Sequence, residues 1–194
     1  MKFDLVITGV GGQGVLTLSK IIAQAALHEG YDVKTSELHG LAQRGGHIEC
    51  HVRFGPKVYS SLVRMGNADL IIGLEPVETL RACHYGSKKK TKFLVNTYKM
   101  PPLSVYIAKE KYPSLDEIEE NLRGFSSKVI LIPASEFVKK ETGKIISTNV
   151  YLAGKSVSLE LLPLKKDSVL MGIRAVIPKK HLDINEKIFE LAFK

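Results

Sequence analysis

The chain has 194 residues, of which 44% are hydrophobic, a composition that excludes disorder and a length that fits one domain with a sizeable core. The longest stretch free of Asp, Glu, Lys and Arg is Leu5–Ser19, 15 residues with four glycines, short of the roughly 20 that a membrane helix needs. The formal charge of +8 lies wholly in residues 87–194, where 18 of 20 basic residues are Lys, so it reads as solvated surface rather than a nucleic-acid footprint.

In chain order, Lys2–Thr8 predicts a strand buried on both faces, since Leu5, Val6 and Ile7 are consecutive and apolar. A glycine loop follows through Gly14, and apolar residues at 15, 18, 22, 25 and 26 give Val15–His28 a helical period. Tyr31–Glu37 is expected as the second strand of a βαβ unit. Next, His47, Glu49, His51 and Arg53 alternate with Ile48, Cys50, Val52 and Phe54, the pattern of a half-buried strand, on which Val58–Val63 is expected to pair back. Apolar Ala68–Leu74 and Lys92–Asn96 read as core strands on either side of a short helix over Pro76–His84. Ser114-Leu115-Asp116-Glu117 is a capping box opening a helix to about Arg123, followed by a strand at Lys128–Ile132 and a helix at Ala134–Thr142. Three helical stretches close the chain, near 148–161, 167–177 and 183–193. The expected fold is α/β: a Rossmann-like, mainly parallel sheet with helices on both faces and a helical C-terminal segment. We read residues 1–194 as a single domain, with an α/β core to about residue 143 and the C-terminal helices from about 148.

Gly9, Gly11 and Gly14 spell G-x-G-x-x-G, which allows a tight turn and offers a helix N-terminus to an anion, and Glu37 stands roughly where a ribose-binding acid would. A dinucleotide site and a purely structural turn both fit that pattern. Val15 follows Gly14 where a phosphate-loop NTPase needs Lys. His39, His47, Cys50 and His51 do not converge as metal ligands, because Cys50 points opposite to His47 and His51, and no metal is expected. Residues 37–46, ELHGLAQRGG, crowd charge and three glycines after a strand's carboxyl end, where ligands and partners sit in an open α/β sheet. The start, Met1-Lys2-Phe3-Asp4, leads to no expected secretory signal. Two lone cysteines, Cys50 and Cys83, suit a reducing cytoplasm.

Gly9-Val10-Gly11-Gly12-Gln13-Gly14, then Ser36 to Gly46, then His51-Val52-Arg53-Phe54-Gly55 closely resemble the gamma-type subunits and domains of 2-oxoacid:ferredoxin oxidoreductases, and within them the indolepyruvate branch. The resemblance continues through Gly73-Leu74-Glu75-Pro76, Asn96-Thr97-Tyr98 with Pro101-Pro102, Tyr112-Pro113, and Asn149 with Gly154. It departs at Ser60-Ser61-Leu62-Val63, which lacks a proline common there, and at Lys155-Ser156-Val157 in place of a more aliphatic segment.

The resemblance implies a cytoplasmic, multi-subunit enzyme that converts a 2-oxoacid, here an aryl pyruvate such as indolepyruvate, with coenzyme A and oxidised ferredoxin, to acyl-CoA, carbon dioxide and reduced ferredoxin. It places thiamine diphosphate, Mg and [4Fe-4S] clusters on a larger partner subunit, and two cysteines and no Gly-Asp-Gly in this chain agree with that. Gly9, Gly11, Gly12, Gln13, Gly14, Glu37, His39, Gln43, Arg44 and Gly45 become candidates for shaping the partner's active site or the coenzyme A approach, with Arg44 the best-suited anion contact. Self-association of the isolated chain is left open. A free-standing NAD- or FAD-binding oxidoreductase is the alternative, and nucleic acid and membrane are not expected partners.

Overall fold

The computed structural model describes residues 2–39, 45–101 and 112–194. Its strands are β1 (Phe3–Val10), β2 (Asp32–His39), β3 (His47–Gly55), β4 (Leu70–Gly73), β5 (Lys92–Asn96) and β6 (Lys128–Ile132). Its helices are α1 (Val15–His28), α2 (Pro76–Arg81), α3 (Leu115–Arg123), α4 (Ala134–Thr142), α5 (Thr148–Ser158), α6 (Lys166–Val176) and α7 (Leu182–Leu191). Among the described residues no helix is long and apolar enough to cross a membrane.

The strands form one sheet in the order β2-β3-β1-β4-β5-β6. β1, β4, β5 and β6 run parallel, so the sheet is mainly parallel as expected, while β3 is antiparallel to both β1 and β2. β1 is buried along its whole length because its two faces meet different layers. Leu5 and Ile7 pack with α1, α4 and the three C-terminal helices, whereas Val6 packs with Ile71, Phe93 and Val95 under α2 and α3. The C-terminal helices therefore belong to the first layer. α6 lies across α1 so closely that a Cβ on Gly172 would stand 2.4 Å from the Ile21 carbonyl oxygen, an approach only glycine permits.

Three local expectations are corrected. β2 is not the neighbour of β1: β3 returns antiparallel between them, so the simple βαβ pairing is broken. Nor is β3 half-buried. Every residue from Ile48 to Gly55 is buried, because an internal strand is covered on both faces and the polar side chains of one face find partners there. Finally, Val58–Val63 forms no strand. Side chains hold that segment instead, with the Arg53 guanidinium donating to the carbonyls of Ser60 (2.8 Å) and Leu62 (2.9 Å), and Val63 N–H donating to His51 Nδ1 at 2.9 Å.

The strongest local signals hold. The Ser114 hydroxyl accepts from Glu117 N–H while the Glu117 carboxylate accepts from Ser114 N–H, and α3 starts at the next residue.

Candidate functional site

The parallel strands β1, β4 and β5 end together at one edge of the sheet. There the glycine loop turns β1 into α1, and Gly14, in the left-handed region at φ +83°, caps the helix where a side chain would be strained. A Cβ at Gly14 would also stand 2.6 Å from Asn149 Nδ2, which donates to the Gly14 carbonyl (3.2 Å) from the first turn of α5. The Gln13 side chain braces the loop: its oxygen accepts from Val10 N–H (2.8 Å) and its amide donates to the Leu74 carbonyl at the end of β4 (3.2 Å). Gly11 N–H donates to the Gly46 carbonyl (2.8 Å), and Gly45 N–H donates back to Gly11 (3.3 Å). An amide that would approach a bound pyrophosphate is thus taken up by the chain itself.

Beside the loop lies a cleft of about 460 Å³, lined by Gly12, Gly14, Thr17, Lys144, Asn149 and His181 among others, with Ile146, Ile177 and Ile184 as apolar walls. A smaller hollow of about 50 Å³ opens between Gly12, Gln13, Leu74, Asn96 and Ser135. Its polar wall is fixed: Asn96 donates to Leu74 (3.0 Å) and Ser135 Oγ (2.9 Å), and Ser135 N–H donates back to Asn96 Oδ1 (3.1 Å).

Two acidic clusters complete the edge. Glu75 is fully buried at the N-cap of α2, where its carboxylate accepts from Glu78 N–H (2.9 Å), Met100 N–H (3.4 Å) and the Tyr112 hydroxyl. Burial raises the Glu75 carboxyl above its ordinary range against the pull of those donors, and burial together with the facing Glu75 raises the Tyr112 phenol. Glu78, also fully buried, bonds His47 Nδ1 and Arg81 Nη1, the latter at 3.3 Å. That bond to Glu78 lifts His47 above the usual histidine range, while burial opposes it. Deeper along β3, Val63 N–H makes His51 Nδ1 an acceptor, so Nε2 carries the hydrogen donated to Glu49 at 2.9 Å. Burial works to raise Glu49, yet the hydrogen bonds from His51 and Tyr85 outweigh it and hold that carboxyl low. The Tyr85 phenol is pushed up to about 12 by burial and by Glu49.

The structure gathers Gly9, Gly11, Gly12, Gln13, Gly14 and Gly45 at this edge. Glu37 is not with them. It sits exposed on the outermost strand opposite Cys50, with β3 between it and β1, so it cannot stand beside the glycine loop as a ribose-binding acid would. His39 closes β2 opposite Ile48. Gln43 and Arg44 lie outside the described residues. Among the described residues no group of three His, Cys, Asp or Glu could hold a metal ion. Glu75, Glu78 and Tyr112 stand at this edge too and are not among the site residues expected from the sequence, where Glu75 and Tyr112 enter only through the resemblance. The available signal was two acids flanking the first turn of a short helix directly after an apolar strand.

Residues 4–194 match the family described as pyruvate ferredoxin/flavodoxin oxidoreductase. The chain belongs to that family. It is 42% identical to the indolepyruvate oxidoreductase subunit IorB of Archaeoglobus fulgidus, over all of this chain and 94% of that one. The fold is similar to that of pyruvate oxidoreductase subunit PORC from Thermotoga maritima (TM-score 0.70, 18% identity, 99% of this chain and 95% of that one). It is also similar to part of the 2-oxoglutarate:ferredoxin oxidoreductase of Magnetococcus marinus (TM-score 0.73, 16% identity), where 98% of this chain matches 30% of that one. The family membership leaves the NAD or FAD alternative without support, in keeping with the displaced Glu37.

Proposed function

We propose that this chain is the small subunit of a cytoplasmic, indolepyruvate-type 2-oxoacid:ferredoxin oxidoreductase, which turns a 2-oxoacid, coenzyme A and oxidised ferredoxin into acyl-CoA, carbon dioxide and reduced ferredoxin. The observation that carries this reading is the identity of about two residues in five with an IorB subunit along the whole of this chain. Thiamine diphosphate and iron–sulfur clusters supply the carbon and electron chemistry in such an enzyme; the sequence has no Gly-Asp-Gly for the first, and its thiols do not fit the second. Cys50 is fully buried, with its thiol pushed up to about 11 by desolvation, and Cys83 lies on another element with its thiol raised as well. Two such thiols cannot replace the four thiolates of an ordinary cluster. The larger partner subunit holds those groups in this reading.

What this chain contributes is a rigid edge. The paired glycine loop and 45–46 segment, the Gln13 and Asn149 braces and the Glu75–Tyr112 contact fix a surface against which the partner closes its active site. Arg44, from the segment between β2 and β3, contacts the anionic coenzyme A or the partner there. The test is reconstitution with the larger subunit. Acceptor reduction that needs 2-oxoacid, coenzyme A and both chains supports the reading; a chain that never associates with a thiamine- and cluster-bearing partner overturns it. Arg44→Ala in the reconstituted complex should impair turnover or coenzyme A affinity while leaving the small subunit's stability unchanged. Native values for both would remove Arg44 from the site.

A further inference from the structure

At the opposite edge of the sheet, where β1 and β4 begin, the segment between β3 and β4 carries three large apolar side chains into solvent. Tyr59 is 84% exposed, Met65 74% and Leu62 48%. Single exposed apolar residues need no explanation, but three within seven residues of one irregular segment do. The backbone beneath them is tightly held. Arg53, itself buried, places Nη1 on the carbonyls of Ser60 and Leu62 while Nε and Nη2 grip the Asp4 carboxylate at 2.8 and 3.4 Å. His51 receives Val63 N–H, and Asp32 receives Val58 N–H at 2.8 Å. Desolvating a guanidinium and an imidazole is costly, and here it fixes the shape of a surface segment with no ladder of its own. Ordering in advance removes an entropy cost that a partner would otherwise bear.

The charge around these side chains selects the partner. Five cations and two carboxylates line the adjacent groove. Asp4 is held by Arg53 and by Lys2 at 3.4 Å, and Asp69 by Lys90 at 2.9 Å, which leaves Lys57 and Arg64 without a carboxylate partner among the described residues. A symmetric dimer through this face would set the same cations against each other.

We propose that residues 57–66 form a preformed docking knob for an apolar hollow rimmed by carboxylates on the larger subunit of the same enzyme, at the sheet edge remote from the glycine loop. This rests on the reading of the chain as a subunit.

The experiment titrates purified small subunit into purified larger subunit and follows 2-oxoacid-dependent acceptor reduction. Tyr59→Ser with Met65→Ser should raise the half-saturating concentration about tenfold or more while activity at saturation stays native. Arg64→Glu should raise it by several-fold and blunt its salt dependence. Thermal unfolding of the variants should match the parent, because the altered side chains face solvent. If the native chain never activates the larger subunit, the subunit reading fails and the proposal with it. If the native chain does and the variants titrate like it, the docking knob alone is overturned. A dimer of the isolated chain that these substitutions dissolve would assign the face to a second copy and overturn the proposal equally.

Discussion

On one face of β3, Cys50, Val52 and Phe54 lie against α1; on the other, Glu49, His51 and Arg53 are almost as dry, at 0 to 6% exposure, and polar. The apolar face is stabilised by area removed from water and by packing. The polar face gains little from area and stands because each buried group has a partner: Arg53 with Asp4 and two carbonyls, His51 with Glu49 and Val63. The first arrangement is graded and local. The second is all-or-none and reaches across the chain, since Arg53 ties together residues 4, 60 and 62.

The largest expected effect is one that both faces share when struck singly. Arg53→Ala leaves the buried Asp4 carboxylate to the half-exposed Lys2 at 3.4 Å and takes the donor from the Ser60 and Leu62 carbonyls, and should cost about 3 kcal/mol. Phe54→Ala leaves a cavity of similar cost, about 3–5 kcal/mol. Urea unfolding of the two variants checks this, and a cost below about 1 kcal/mol for Arg53→Ala would mean that Lys2 and water suffice for Asp4.

A paired substitution then separates the faces. Asp4→Leu with Arg53→Met removes both charges and should recover stability to within about 1–2 kcal/mol of the parent, because an apolar pair can replace a buried ion pair. Phe3→Ala with Phe54→Ala, whose rings lie 5.2 Å apart, should only deepen the loss. The Asp4/Arg53 pair should nonetheless speed proteolytic cleavage within 57–66, since no guanidinium then holds Ser60 and Leu62. Equal protection in parent and variant would show that this segment keeps its shape without Arg53.

The same contrast explains how much was legible in the sequence. Elements whose cause is local were read closely: β1 from its apolar run, α3 from Ser114 and Glu117, α4 over its observed span. The polar half of β3 was misread as exposed because its partners are far away in sequence, with Glu78 31 positions from His47 and Asp4 49 from Arg53. Alternation reports two chemical faces, and it cannot say whether a second layer covers the polar one. At the candidate site the glycine turn was legible, being set by backbone geometry. Its closure by Gln13, Asn149 and Gly46 was not, nor was the removal of Glu37 by an inserted strand, because both depend on sheet order.

A smaller effect is expected at the glycine loop, where the polar logic holds with one bond. Asn149→Ala removes the donor to the Gly14 carbonyl and should cost about 1 kcal/mol. Hydrogen exchange should show the first turn of α1 opening more often, with the middle of the helix unaffected. Uniform change along α1 would mean that Asn149 acts through packing of α5.

The smallest effect is a pH dependence, and it tests the polar face where that face meets the candidate site. His47 is partly exposed and faces Glu78, Glu49 (3.9 Å) and, through Glu78, Arg81. Its folded pKa is raised above the ordinary value near 6.5. The protonated form therefore favours the folded state, so this contribution is fully present below pH about 6.5 and is lost as pH rises through the raised value. Urea unfolding of the parent should show stability falling across that window, and His47→Gln should flatten the fall without removing the rest of the profile. Parallel profiles would mean that Glu78 draws its support from Arg81 alone. A change confined to His47 also has a structural address: it directly follows Gly45 and Gly46, which bond Gly11, so losing the charge on His47 should raise exchange of the Gly11 amide before that of any amide in the middle of β3.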